Sequence, residues 1–249
     1  SQEEVVNLQK RDKQTFKIWE YICDISRKGF QEIYDILDVK LSERGESFYN
    51  AMLPSVVKDF EKKEMVKISD GAKCIFIEGF NSKEGKPLPM IIQKKDGGYN
   101  YSTTDSAALR HRVLEEKADR IIYVVDGGQK LHFQMVFRAA EQVGYYKASQ
   151  VEIDHVPFGL VLGEDGKKFK TRSGETEKLI DLLNTAIMRA RVLLNKRLDN
   201  SEESEIDCLA LVLGINAVKY ADLSCNRIKD YVFSYDRMLK FEGNTASYL

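Results

Sequence analysis

The stretch "ADRIIYVVDGGQKLHFQMVFRAAEQVG", residues 118–144, constrains the fold more than any other part of the chain. Its apolar run Ile121–Val125 is short, unbroken and rich in β-branched residues, the pattern of a strand buried on both faces of a sheet. A Gly-Gly turn follows. Phe133, Val136, Phe137, Ala140 and Val143 then recur at helical spacing. A second apolar run, "FGLVLG" at 158–163, completes a strand, helix and strand, which predicts a βαβ unit of a parallel sheet. Sites in such sheets lie beyond the carboxyl ends of the strands, where "DGGQKLH" and "GEDGKKFKTR" fall.

The flanking segments read as follows. Residues 13–37 place Phe16, Trp19, Ile22, Ile25, Phe30, Ile33 and Leu37 on one stripe, an amphipathic helix with a break near Gly29. Pro54 starts a second helix carrying Val56, Val57 and Phe60. "MVKIS", "KCIFIEG" and "LPMIIQK" read as strands, with Asp70-Gly71 as a hairpin turn. Thr104 or Asp105 caps a helix running to about residue 118. Helices over 177–197 and 206–223 flank a polar linker, 198–205. "DYVFSY" is a short extended piece, "YDRMLKFEG" a helix ending at Gly243, and "GNTASYL" the start of another helix.

Composition narrows the partners. The chain has 249 residues, enough for one large domain or two small ones. Lys and Arg total 38 against 39 Asp and Glu, so a nucleic-acid partner is not announced by charge and any basic footprint is local. Cys23, Cys74, Cys208 and Cys225 are scattered with no C-x-x-C pair, which argues against bound metal and a disulfide framework. No stretch between charged residues exceeds 11 residues, so no membrane span is expected. The chain opens at Ser1 without an initiator Met or a basic-then-apolar leader, which reads as a trimmed or engineered start.

Three stretches could carry chemistry. In "GEDGKKFKTRSGE", residues 163–175, Lys167, Lys168, Lys170 and Arg172 lie between glycines, a loop that either grips phosphate or is a solvated surface turn. In "DGGYNYSTTDSAALRHR", residues 96–112, Tyr101 and Asp105 stand four apart; Asp105 either meets a cationic ligand or caps the helix, and Tyr99 and Tyr101 alternate about Asn100 as in an ordinary strand. In "DGGQKLHF", residues 126–133, Gln129 and His132 either point into the crevice or form a polar helix start. Their joint placement at one sheet edge weighs more than each alone.

In order, "GESFYN", "GGYNYSTTD", "ADRIIYVVDGGQKLHFQMVFRAAE", "FGLVLGEDGKKFKTRSGE", "KYADLSCNRIKDYVFSYDRML" and "GNTASYL" resemble arginyl-tRNA synthetase, in its eukaryotic cytosolic and plant-like branch. The likeness covers the chain from about residue 15. It implies an α/β fold: a Rossmann-type class I synthetase catalytic core, a partial parallel sheet with flanking helices, a connective insertion and C-terminal linking helices. The implied organisation is an insertion over 1–95, the second half of the core over 96–176, a helical stem-contact region over 177–242 and the start of the anticodon-binding domain at 243–249. The implied reaction joins arginine and ATP as arginyl-adenylate and passes the arginyl group to tRNA(Arg).

The resemblance also implies roles. Tyr101 and Asp105 look like the pair that holds the substrate guanidinium, with Gln129 at its amino-acid end. His132 sits where the family approaches ATP, and the strand Leu160, Val161 and Leu162 offers backbone groups to adenine. Lys168, Lys170 and Arg172 look like a degenerate KMSKS loop, with Thr171 where the second lysine of the motif stands. Asn244 and Tyr248 would touch tRNA. Mg2+ accompanies ATP, and no resident metal or tightly bound cofactor is implied. A cytoplasmic protein, monomeric at full length, with membership of a multi-synthetase complex, completes the expectation. None of His111, His132 and His155 lies in an H-x-G-H element. The chain therefore reads as an internal piece, and a poor catalyst alone. The alternative is a non-catalytic module that keeps the fold for tRNA or protein binding. An unrelated Rossmann protein would show G-x-G-x-x-G, which is absent.

Overall fold

The computed structural model describes residues 2–163, 165–167, 178–198 and 201–246. The chain divides into two compact units: Ser1–Ser26 with Ser42–Val156, and Arg27–Leu41 with Pro157–Leu249.

In the first unit, a 3-10 turn over Glu46–Met52 leads into helix α3, Leu53–Lys62, with Pro54 in its first turn where a missing N–H costs nothing. The strands β1 (Val66–Ser69), β2 (Ala72–Asn81) and β3 (Pro87–Gln93) form an antiparallel sheet in the order β1-β2-β3. Asp70 and Gly71 both take positive φ in the β1–β2 turn, as expected for Asp-Gly. Strand β2 buries Cys74, Ile75 and Ile77, while β3 adds Met90 and Ile92. Helix α4 (Tyr101–Leu114) and helix α5 (Lys130–Val143) close this core with Ala107, Ala108, Leu109, Val136, Ala139 and Ala140. Gly144, at φ +93, ends α5 in the left-handed conformation that glycine adopts without strain.

Between these helices runs β4 (Arg120–Asp126), whose neighbour is β5 (Glu152–Phe158). The two strands start level, with Glu152 N–H donating to Asp119 C=O and Arg120 paired to Asp154 at 2.8 Å. The strand-helix-strand unit is present, but its second strand is "EIDHVPF" rather than "FGLVLG". Burial on both faces does not extend along β4: Ile121 is buried while Ile122 and Val124 are exposed.

In the second unit, β6 is only Val161–Leu162 and pairs in parallel with β7, Tyr231–Val232. Helices α6 (Leu179–Asn195) and α7 (Glu203–Ser224) pack closely. A Cβ at Gly214 would stand 2.7 Å from Ile187 Cα. Leu182, Ala190, Leu194, Ile206, Ala210, Ala217, Phe233 and Met238 form their shared core.

The remaining helices are α1 (Gln2–Gln9), α2 (Lys13–Ile36) and α8 (Tyr235–Met238). Several boundaries differ from the sequence reading. Helix α2 runs through Gly29 unbroken, because a mid-helix glycine costs only about 1 kcal/mol. Helix α8 stops at Met238, well before Gly243, and the residues after it up to 246 form bends and a turn rather than a new helix. No described helix is long and apolar enough to cross a membrane.

Candidate functional site

The first unit gathers four of the expected residues onto two helix starts. Helix α4 buries Ser102, Thr103, Thr104, Ser106, Ala107, Ala108 and Leu109. Thr103 Oγ donates to Ile92 C=O and Ser106 Oγ donates to Ser102 C=O, so these two hydroxyls are satisfied within the core. What remains on the open face is Tyr101, which is 66% exposed, and Asp105 one turn later. Residues four apart share a helix face, so both side chains meet the same space. Asp105 is not the helix cap: Asn100 holds that place in extended conformation, its side chain accepting from Tyr101 N–H at 3.0 Å. The carboxylate of Asp105 is thereby left for other work. Tyr101 opens the helix rather than continuing a strand, while Tyr99 bridges to Gln93.

Helix α5 supplies the partner. His132 Nε2 lies 2.6 Å from Asp105 Oδ2, a hydrogen bond between two half-buried side chains. Gln129 precedes the same helix, its amide donating to Asp126 Oδ2 at 3.0 Å. Gly128 N–H donates to the other oxygen of Asp126 at 2.8 Å, where a Cβ on Gly128 would collide. The Gln129 side-chain bond first, then the Gly128 N–H, holds the Asp126 carboxyl below its usual range.

A residue that the sequence reading missed completes this cluster. Burial raises the Glu46 carboxyl above its ordinary value, and the charge of Asp105 raises it further. The negative charge of Asp105 thus reaches Glu46 on the preceding 3-10 turn. Behind them, Arg112 donates to Tyr123 Oη at 2.9 Å and lies over its ring. Burial, the largest cause, drives the Tyr123 phenol up to about 12 and keeps it neutral. Glu46 sits in "GESFYN"; an acid just ahead of an aromatic pair was the only available signal, and it is a weak one.

The other expected residues lie elsewhere or outside the described set. Leu160, Val161 and Leu162 belong to the second unit. There Leu160 N–H donates to Asp230 at 2.7 Å, and Leu160 C=O and Leu162 C=O accept from Tyr231 and Phe233. Lys167 N–H closes a turn on Asp165. Lys168, Lys170, Arg172 and Tyr248 lie outside the described residues. Asn244 is exposed, in a 290 Å³ cleft that Arg237, Lys240 and Thr245 also line.

Fold and site define an α/β protein whose candidate site lies at the starts of two helices, where Asp105 and His132 meet. The family comparison goes further. The family of tRNA synthetases class I (R), catalytic domain, matches residues 1–235, and the chain belongs to this family, the class I arginyl-tRNA synthetases. The chain is 62% identical over 249 residues to the arginine–tRNA ligase of Protochlamydia amoebophila, and 55% identical over 253 residues to that of Nostoc sp. PCC 7120. In each case all of this chain matches 43% of the relative, so the chain spans less than half the length of these curated relatives. Among solved structures, arginyl-tRNA synthetase from Plasmodium falciparum superposes with TM-score 0.84 at 35% identity, over 99% of this chain and 40% of that one. The Thermus thermophilus enzyme superposes with TM-score 0.69 at 17% identity, over 96% of this chain and 48% of that one, a likeness of fold. The sequence relatives are bacterial, so the eukaryotic branch expected from the sequence gains no support from them.

Proposed function

We propose that the chain is the arginine-recognising part of an arginine–tRNA ligase. One observation carries the reading: the open face of α4 presents Tyr101 and Asp105 one turn apart, and Asn100 rather than Asp105 caps the helix. A planar guanidinium presents five N–H donors in a fixed fork, which suits two carboxylates and a phenol. The point charge of lysine satisfies fewer acceptors, and a site built for the guanidinium fork rejects it. Gln129 would meet the amino-acid end of the same ligand.

In this reading the arginine carboxylate attacks the α-phosphorus of ATP and pyrophosphate leaves. The arginyl group then passes from the adenylate to the 3′ end of tRNA(Arg) as AMP departs. ATP, accompanied by Mg2+ as part of the substrate, would meet His132; the backbone of Leu160, Val161 and Leu162 is assigned separately to adenine. Lys168, Lys170 and Arg172 would neutralise the charge that develops on the phosphates. Asn244 and Tyr248 are assigned to tRNA. The full-length protein would act in the cytoplasm as a monomer, alone or within a multi-synthetase assembly.

Equilibrium binding to the full-length protein tests the substrate. Arginine should bind at least 100-fold more tightly than lysine, on the order of what unpaired acceptors cost. Equal affinities would refute the assignment.

A further inference from the structure

His132 does more in this structure than stand near a nucleotide site. Its Nε2 lies 2.6 Å from Asp105 Oδ2, with the two side chains 29% and 30% exposed. The imidazole is itself held. It stands edge-on to Phe133 with ring centroids 5.1 Å apart, and Phe133, buried in the α5 face, stacks against Tyr123 at 4.9 Å and His155 at 5.5 Å. The start of one helix thus fixes a donor against a carboxylate on the start of another.

A carboxylate needs such a fixture. The last torsion of aspartate is broad, so an untethered Asp105 would sample many orientations of its two oxygens. The acid Glu46 lies nearby and would push it away. A donor on Oδ2 sets the plane of the group and leaves Oδ1 to accept from a ligand, which is the way supporting shells preorganise binding groups. We infer that His132 is a positioning residue for Asp105, anchoring one carboxylate oxygen so that the other meets the guanidinium. This rests on the assignment of Asp105 to arginine.

The test uses the full-length protein and reads arginine affinity and the KM for ATP separately. A hydrogen bond to a charged group is worth about 1.5–3 kcal/mol, so His132→Ala should weaken arginine binding by about tenfold or more, whatever rise in the KM for ATP accompanies it. His132→Gln, whose amide reaches as far as Nε2, should recover most of the loss, whereas the shorter His132→Asn should not. In an Asp105→Asn background, His132→Ala should add less than about twofold, because a positioning residue has nothing left to position.

Unchanged arginine affinity in His132→Ala, a rise confined to the KM for ATP, or full additivity with Asp105→Asn would each overturn the inference. Should His132→Ala fail to fold, the Gln and Asn variants carry the test: equal arginine affinities in those two overturn it. If Asp105→Asn itself leaves arginine affinity unchanged, the parent assignment falls, an outcome distinct from failure of His132 alone.

Discussion

Arg110 Nη1 meets Asp59 Oδ2 at 2.8 Å, joining α4 to α3 across 51 residues of sequence. Tyr145 Oη donates to the same oxygen at 3.0 Å, and Arg110 also donates to Ser55 Oγ at 2.8 Å. Burial first, and Asp59 second, raise the Tyr145 phenol above its ordinary value, so it stays a donor at neutral pH. The cluster clamps the helix that carries Tyr101 and Asp105. Asp59→Ala should leave a guanidinium that is 19% exposed with its hydrogen bond to Ser55 and its place over the Tyr145 ring, at a cost of about 2 kcal/mol. The shift in urea midpoint at neutral pH measures it.

The α6–α7 contact depends on a missing side chain. A Cβ at Gly214 would stand 2.7 Å from Ile187 Cα and 2.8 Å from Ile187 N, both backbone atoms that cannot rotate away. Gly214→Ala should therefore destabilise the second unit by roughly 1–3 kcal/mol, despite the better helix propensity of alanine. An equal or raised melting temperature would contradict the close crossing.

Glu46 should trade stability for binding. Its folded-state carboxyl lies above the ordinary value of 4.5, from burial and then Asp105. Between the unfolded and folded values the native state holds the extra proton, so stability falls as pH rises through that window, and the penalty is complete above it. Glu46→Gln should thus be more stable than the parent at pH 7, with the gap closing as pH falls through that window toward 4.5. The same variant should bind arginine more weakly. Thermal melts from pH 4 to 8, paired with arginine titrations, check both halves.

The basic loop should act on phosphate rather than on arginine. Lys168→Gln with Lys170→Gln should lower arginyl-adenylate formation by about 100-fold, the scale of losing a donor aimed at developing charge. Arginine affinity should change by less than about twofold. A comparable loss of arginine affinity would move the loop out of the phosphate role.

Much of this was legible because periodicity reports burial. In β2, the short apolar run Cys74–Ile77 in "KCIFIEG" is a strand that enters the core. In α5, the apolar stripe from Phe133 to Val143 lies inward. Strand β5 escaped because Glu152, Asp154, His155 and Pro157 interrupt any apolar pattern. Its pairing comes from neighbours such as Arg120, which are remote in sequence. "FGLVLG" drew attention instead, since six small and apolar residues look like a strand although only Val161 and Leu162 pair.

The site was half legible. Tyr101 and Asp105 were visible by their spacing, but capping chemistry made Asp105 ambiguous until Asn100 was seen in that place. The bond between His132 and Asp105 spans 27 residues, and the approach of Glu46 to Asp105 joins residues 59 apart; no local pattern encodes either.

The ligase assignment is tested most directly by arginine-dependent ATP–pyrophosphate exchange in the full-length protein, with and without tRNA, beside Asp105→Asn. The account predicts exchange that requires arginine, is not supported by lysine, and is lost in the variant at low arginine, with a deficit of about 2–5 kcal/mol in kcat/KM. Exchange indifferent to the amino acid supplied, or absent from the parent protein both with and without tRNA, would contradict it.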